Sequence, residues 1–134
     1  DKKDRKSKID ESIGYFELES VLKLKASNLS GGLKKRLAIA LSLLGDPRIL
    51  LLDEPFAALD IMSISNLQQI IVKLQTTTNI TIIIVDHQAR DLLSCVDVAI
   101  VLSNAKIISK GTPTEITNDQ IAKSHYFGEK FKIN

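Results

Sequence analysis

Two unbroken apolar runs dominate the chain, Ile49-Leu50-Leu51-Leu52 and Ile82-Ile83-Ile84-Val85. Runs this short, bounded by polar residues, predict buried strands over 48–53 and 80–85, and their continuous apolar character suits a parallel sheet covered on both faces. Between them Leu67, Ile70, Ile71 and Leu74 recur at helical spacing, which predicts a helix starting near Asp60 as its N-cap and ending before Thr76. Strand, helix, strand is a crossover unit, expected to be right-handed with the carboxyl ends of both strands at one edge. Upstream, 12–22 reads as helix. A further helix from about 31 to 44 carries Leu33, Leu37, Leu41 and Leu44 on one face, predicted to turn toward the domain, until Gly45-Asp46-Pro47 stops it. Downstream come a short helix over 89–94 and strands over 96–102 and 106–110, joined by the turn Ser103-Asn104-Ala105. From Thr114 onward one or two helices are predicted, with Thr117-Asn118-Asp119 as break and cap.

Composition narrows the class without naming it. A length of 134 residues with 44% hydrophobic residues suffices for a core. The formal net charge of +2 is nearly balanced, and basic residues are scattered apart from Lys34-Lys35-Arg36 and the stretch 2–8, where Asp4 dilutes them. This is not a nucleic-acid footprint. The charged stretch 2–8 reads as a solvated helix face or a frayed end. The single cysteine, Cys95, excludes an intrachain disulfide and reads as a small core residue. No apolar run approaches the roughly 20 residues that span a bilayer, so no direct membrane insertion is expected and any membrane association must come through a partner.

Candidate chemistry gathers at three places. Asp53-Glu54 closes the first apolar run and is followed by Pro55. Two adjacent carboxylates at a strand end can serve a magnesium ion and an attacking water, although such acids also end many ordinary strands. Ser30-Gly31-Gly32 runs into a helix whose positive end faces any anion docked there, with glycines that let backbone amides approach closely. The same triplet also describes a plain N-cap. Asp86-His87 closes the second run, where an imidazole could hydrogen-bond a terminal phosphate, although a lone histidine is more often a surface or capping residue.

Taken in order, four motifs resemble those of the ATP-binding cassette (ABC) ATPases. Leu29-Ser30-Gly31-Gly32-Leu33 is similar to the signature (LSGGQ), the stretch 49–54 to Walker B, Ala58-Leu59-Asp60 to the D-loop and His87 to the switch histidine. The similarity runs from about Leu29 to Gly111; the first 28 residues match loosely. Gly111-Thr112-Pro113-Thr114-Glu115-Ile116 and Tyr126-Phe127-Gly128-Glu129-Lys130-Phe131 further resemble the tail of the lipopolysaccharide-export ATPases within that family. The packing reading of Tyr126, Phe127 and Phe131 is preferred over a partner-binding patch. Two positions depart at the signature: Leu33 stands where the family has Gln or Glu, and Leu41 where an Arg is common. No Gly-x-x-x-x-Gly-Lys-[Ser/Thr] loop (Walker A) occurs, and the first glutamine, Gln68, comes too late to be that of the Q-loop.

The resemblance implies an α/β architecture. It is a partial P-loop NTPase (RecA-like) fold with a mainly parallel sheet plus part of the ABC helical subdomain. Residues 1–45 would end that subdomain, 46–111 form the RecA-like core and 112–134 a helical tail, the whole starting inside the helical subdomain of a longer cassette. It also implies ATP and Mg2+ as cofactors. Asp53 would hold the metal, Glu54 polarise the attacking water and His87 contact the terminal phosphate; Ser30, Gly31 and Gly32 would clamp phosphates bound by the opposite subunit, and Asp60 would link the two sites. Implied partners are a second ATPase subunit in a homodimer and an inner-membrane permease pair, with no nucleic acid, at the cytoplasmic face of the inner membrane. Lipopolysaccharide export is the leading function. Another cargo such as branched-chain amino acids, or a non-catalytic truncated cassette, are the alternatives. Without Walker A the isolated segment is expected to be inactive, and unpaired strands should leave it unstable or oligomeric.

Overall fold

The structure is a computed structural model that describes residues 2–128 and 131. The chain divides after Val85 into two compact units.

The first unit begins with α1 (Lys2–Tyr15), so the charged stretch 2–8 lies in a helix. Helix was expected over 12–22, but α1 ends early. Phe16 and Leu18 are both buried, and residues two apart cannot share a helix face. Glu17 between them takes a left-handed φ of 54°, and short 3-10 turns at Glu19–Val21 and Ala26–Asn28 lead to α2 (Gly31–Leu43). On α2 the buried positions are Gly32, Ile39 and Ala40. The expected leucine stripe is therefore rotated: Leu33 and Leu37 are half-buried, whereas Leu41 and Leu44 are exposed. The turn after α2 places Asp46 at φ 51° and its carboxylate against the Lys8 ammonium.

Next come β1 (Ile49–Asp53), α3 (Ile61–Thr77) and β2 (Thr81–Val85). β1 and β2 pair in parallel from Ile49 opposite Thr81 to Asp53 opposite Val85. The crossover thus brings both carboxyl ends to one edge, and α3 buries Ile64, Leu67, Ile70, Ile71 and Leu74 along a helical stripe. The sheet departs from expectation in one respect. Leu50 is buried and Leu52, Ile82 and Ile84 are half-buried on one face, but on the other Ile49, Leu51, Ile83 and Val85 are exposed. Two strands cannot cover both of their own faces.

In the second unit a short α4 (Ala89–Leu93) precedes an antiparallel hairpin, β3 (Ala99–Ser103) and β4 (Lys106–Gly111). Its two-residue turn, Asn104-Ala105, has φ 47° and 59°, left-handed values that match the twist of a hairpin. Helices α5 (Pro113–Asn118) and α6 (Gln120–Ala122) and a π-helical turn at Lys123–Phe127 complete it. Leu93, Ala99, Val101, Ile116 and Ala122 form the core, with Phe127 and Phe131 packed against it and stacked on each other at 4.4 Å. Tyr126 is exposed, and Glu129 and Lys130 of the tail motif lie outside the described residues.

The Gly-Thr-Pro stretch is a helix-starting device. Thr112 Oγ1 accepts from the Glu115 amide while the Glu115 carboxylate accepts from the Thr112 amide at 2.7 Å, a capping box. A Cβ on Gly111 would meet Glu115 Oε2 at 2.7 Å, so glycine there leaves the carboxylate room to fold back. The bonds its carboxylate accepts, from the Thr112 amide and from Thr112 Oγ1 at 2.9 Å, hold the Glu115 carboxyl below its ordinary value. Cys95 is half-buried, and burial, with Asp91 and Asp86 adding to it, pushes its thiol up to about 11. The residue is partly exposed and not one of the core residues of its unit, short of the core role expected for it.

Candidate functional site

The signature stretch opens a helix. Ser30 is the N-cap of α2, its Oγ accepting from the Leu33 amide at 3.3 Å, so one of the free amides of the first turn is satisfied by the side chain. Ser30 and Gly31 are exposed and Gly32 is buried. A Cβ on Gly32 would come within 2.8 Å of Ser63 Oγ, and one on Gly31 within 3.4 Å of Leu59 Cδ2. Gly32 is therefore what lets the start of α2 lie directly on the 58–63 stretch, whereas a Cβ on Gly31 would make ordinary contact.

That stretch is built by Asp60. Its carboxylate accepts from the Ser63 amide at 2.9 Å and from Ser63 Oγ at 2.6 Å, capping α3. The Ser63 hydroxyl, followed by its amide, draws the Asp60 carboxyl below its ordinary value. Ser63 thus serves Asp60 on one side and abuts Gly32 on the other.

Asp53 and Glu54 stand exposed where β1 ends. The Glu54 amide donates to the Val85 carbonyl at 2.7 Å, continuing the sheet pairing one residue past the strand. Its backbone then turns left-handed, φ 43°, and Ala58 does so again at φ 59°. Such values cost about 1 kcal/mol or more in a residue with a side chain. They are held by Phe56, which is fully buried, and by Lys35 of α2, whose ammonium donates to the Glu54 carbonyl at 2.8 Å. The signature helix thereby grips the backbone of the acid.

His87 follows β2 by two residues and belongs to the second unit. Its ring is exposed, and Nδ1 lies 3.9 Å from the carboxylate of Asp86, which is itself buried and accepts from the Gln88 amide at 2.8 Å.

The family model described as ABC transporter matches residues 1–57. Over 129 residues the chain is 37% identical to the lipopolysaccharide export system ATP-binding protein LptB of Haemophilus influenzae, covering 96% of this chain and 53% of that protein. The Escherichia coli K12 protein of the same name is 35% identical over the same share. Among solved structures, cbiO1 from Clostridium perfringens, described as part of the ABC transporter complex cbiONQ, superposes with a TM-score of 0.84 at 30% identity, over 92% of this chain and 49% of that one. In sequence and in fold the chain is similar to the ATP-binding cassette ATPases. It spans about half the length of the curated relatives it matches.

The structure brings Ser30, Gly31 and Gly32 together with Asp60 through Ser63, and ties Glu54 to the same helix through Lys35. Neither Ser63 nor Lys35 was singled out from the sequence for such a role. Ser63 gave no signal of its own, and Lys35 was visible only as part of a basic run. Among the described residues no group of three or more His, Cys, Asp and Glu side chains could hold a metal ion. The carboxylate of Asp53, exposed at the end of β1, is of the kind that Mg2+ accepts as a ligand beside substrate phosphates and water. No helix among the described residues is long and apolar enough to cross a membrane.

Proposed function

We propose that this chain is the part of an ABC transporter ATP-binding subunit that carries the signature, Walker B, D-loop and switch histidine, in a protein that hydrolyses ATP to drive lipopolysaccharide export. The observation that carries this reading is the 35–37% identity to LptB proteins across nearly the whole chain. The same reading divides the chain into helical subdomain (1–45), RecA-like core (46–111) and tail (112–134).

In the complete protein Asp53 would hold Mg2+, which when bound would supply positive charge against that developing on the phosphates. Glu54 orients and polarises the attacking water, and its backbone is kept in place by Lys35. His87 donates to the terminal phosphate. Ser30, Gly31 and Gly32 bind, from the N-terminus of α2, phosphates held by the partner subunit of a homodimer. Asp60, fixed by Ser63, links the two sites. Catalysis of this kind is positioning and electrostatics, so the 134-residue chain without a Walker A loop turns over no ATP by itself. The subunit works at the cytoplasmic face of the inner membrane, bound to a permease pair.

The test is a chimera in which the part of the Haemophilus influenzae relative that this chain does not match is joined to this chain. It should show Mg2+-dependent ATP turnover, and Glu54→Gln should lower kcat by about 10²-fold or more. It should also restore growth to cells depleted of their own lipopolysaccharide-export ATPase. Turnover without rescue would discard the cargo and keep the enzyme; no turnover would discard both.

A further inference from the structure

The His87 side chain is 67% exposed, so packing around the ring does little to aim it. Its direction has to come from the backbone beneath, and that backbone is clamped. The peptide that follows His87 is bonded at both ends. Its carbonyl accepts from the Ala89 amide at 3.0 Å, and its N–H, that of Gln88, donates to Asp86 Oδ1 at 2.8 Å. The first bond closes an inverse γ-turn, for which Gln88 has the dihedral angles, φ −80° and ψ 72°. The second is an Asx turn, in which a side-chain oxygen does what a backbone carbonyl does in an ordinary turn. The Gln88 carbonyl then accepts from the Leu92 amide at 3.0 Å, which anchors the turn to α4.

Asp86 is the unexpected member of this clamp. Its side chain is 0% exposed, and a carboxylate is held out of water only where hydrogen bonds offset the lost hydration. Its oxygen lies 3.9 Å from His87 Nδ1, beyond hydrogen-bond reach, so its hold on the ring runs through the backbone. We propose that Asp86 is a positioning residue for His87: its buried carboxylate fixes the turn that sets where the ring points. This rests on the reading of His87 as a donor to the terminal phosphate and names the residue that aims the donor. Such a donor works by placement, and an error of about 1 Å can cost roughly 10²-fold in rate.

The experiment measures ATP turnover by variants of the chimera, each first shown to be folded by circular dichroism. Asp86→Ala removes the acceptor and should lower kcat by about tenfold or more, while KM for ATP stays within about twofold. Asp86→Asn keeps an oxygen that makes the same turn and should retain most of the rate. Asp86→Ser, whose hydroxyl makes it more weakly, should fall between the two. Exchange of the Gln88 amide should quicken in Asp86→Ala and stay slow in Asp86→Asn. In a His87→Ala background, read as residual single turnovers, Asp86→Ala should cost nothing more, because no ring is left to aim. A folded Asp86→Ala with the parent's kcat would overturn the proposal, as would a raised KM at unchanged kcat, or an equal loss with and without His87. Should Asp86→Ala not fold, equal rates for the Asn and Ser variants would overturn it instead. Turnover by His87→Ala at the parent's rate would sink the reading of His87 and the aiming role with it, whereas an inactive His87→Ala beside a fully active Asp86→Ala would sink the aiming role alone.

Discussion

Gly32 shows how a single residue can be fixed by what it lacks. Any side chain there meets Ser63, whose hydroxyl is already committed to Asp60. Gly32→Ala gains helix propensity, but it forces a methyl group into a contact that has no slack, and overpacking of this kind typically costs about 1–3 kcal/mol. The variant should unfold at lower denaturant than the parent. Adding Ser63→Ala should recover part of the loss, giving a non-additive double-mutant cycle; strict additivity would mean that the two positions do not press on each other. The functional importance of Ser30, Gly31 and Gly32 could be suspected from the triplet itself. Their seat on 58–63 could not, because it depends on a contact between residues some thirty positions apart in the sequence.

Elements were more legible than contacts. The stripe of α3, its Asp60 cap and the two strands follow from local periodicity and capping chemistry, and all stand close to where the pattern puts them. α1 was the failure, since 12–22 looks helical until Phe16 and Leu18 compete for the same interior and pull the backbone out of the helix. The face of α2 was also unreadable. It offers apolar residues on several sides, and only the arrangement around it decides that Ile39 and Ala40 go inward. At this scale the cap of α3 makes a pH prediction. The folded-state Asp60 carboxyl is depressed, so its contribution to stability is present above the ordinary value of 3.8 and is lost as pH falls through the depressed one. Asp60→Asn keeps a capping side chain without the titration. The variant should be less stable than the parent near neutrality, and the gap should close below pH 3.8 in acid unfolding followed by circular dichroism.

For the whole molecule, the sequence indicated an α/β chain of cassette type, and comparison bears that out. It did not foretell two compact units divided after Val85, because nothing in the composition changes there. Each unit has its own interior, and Ile116, fully buried, is central to that of the second. Ile116→Ala should cost about 2–5 kcal/mol. Hydrogen exchange should report the loss in the amides of Ala99–Ser103 and Lys106–Gly111; unchanged protection there would remove Ile116 from the second core.

The bond from Lys35 to the Glu54 carbonyl has a mechanical side. Gly31 and Lys35 are separated by four residues, about 6 Å of helix rise, and the ammonium ends on the peptide oxygen of the acid at 2.8 Å. Pressure on the glycine tip from outside therefore has a stiff lever, one turn long, whose far end rests on a peptide already bent to φ 43°. A tilt of that lever too slight to break any packing would be felt as a change in the aim of the Glu54 carboxylate.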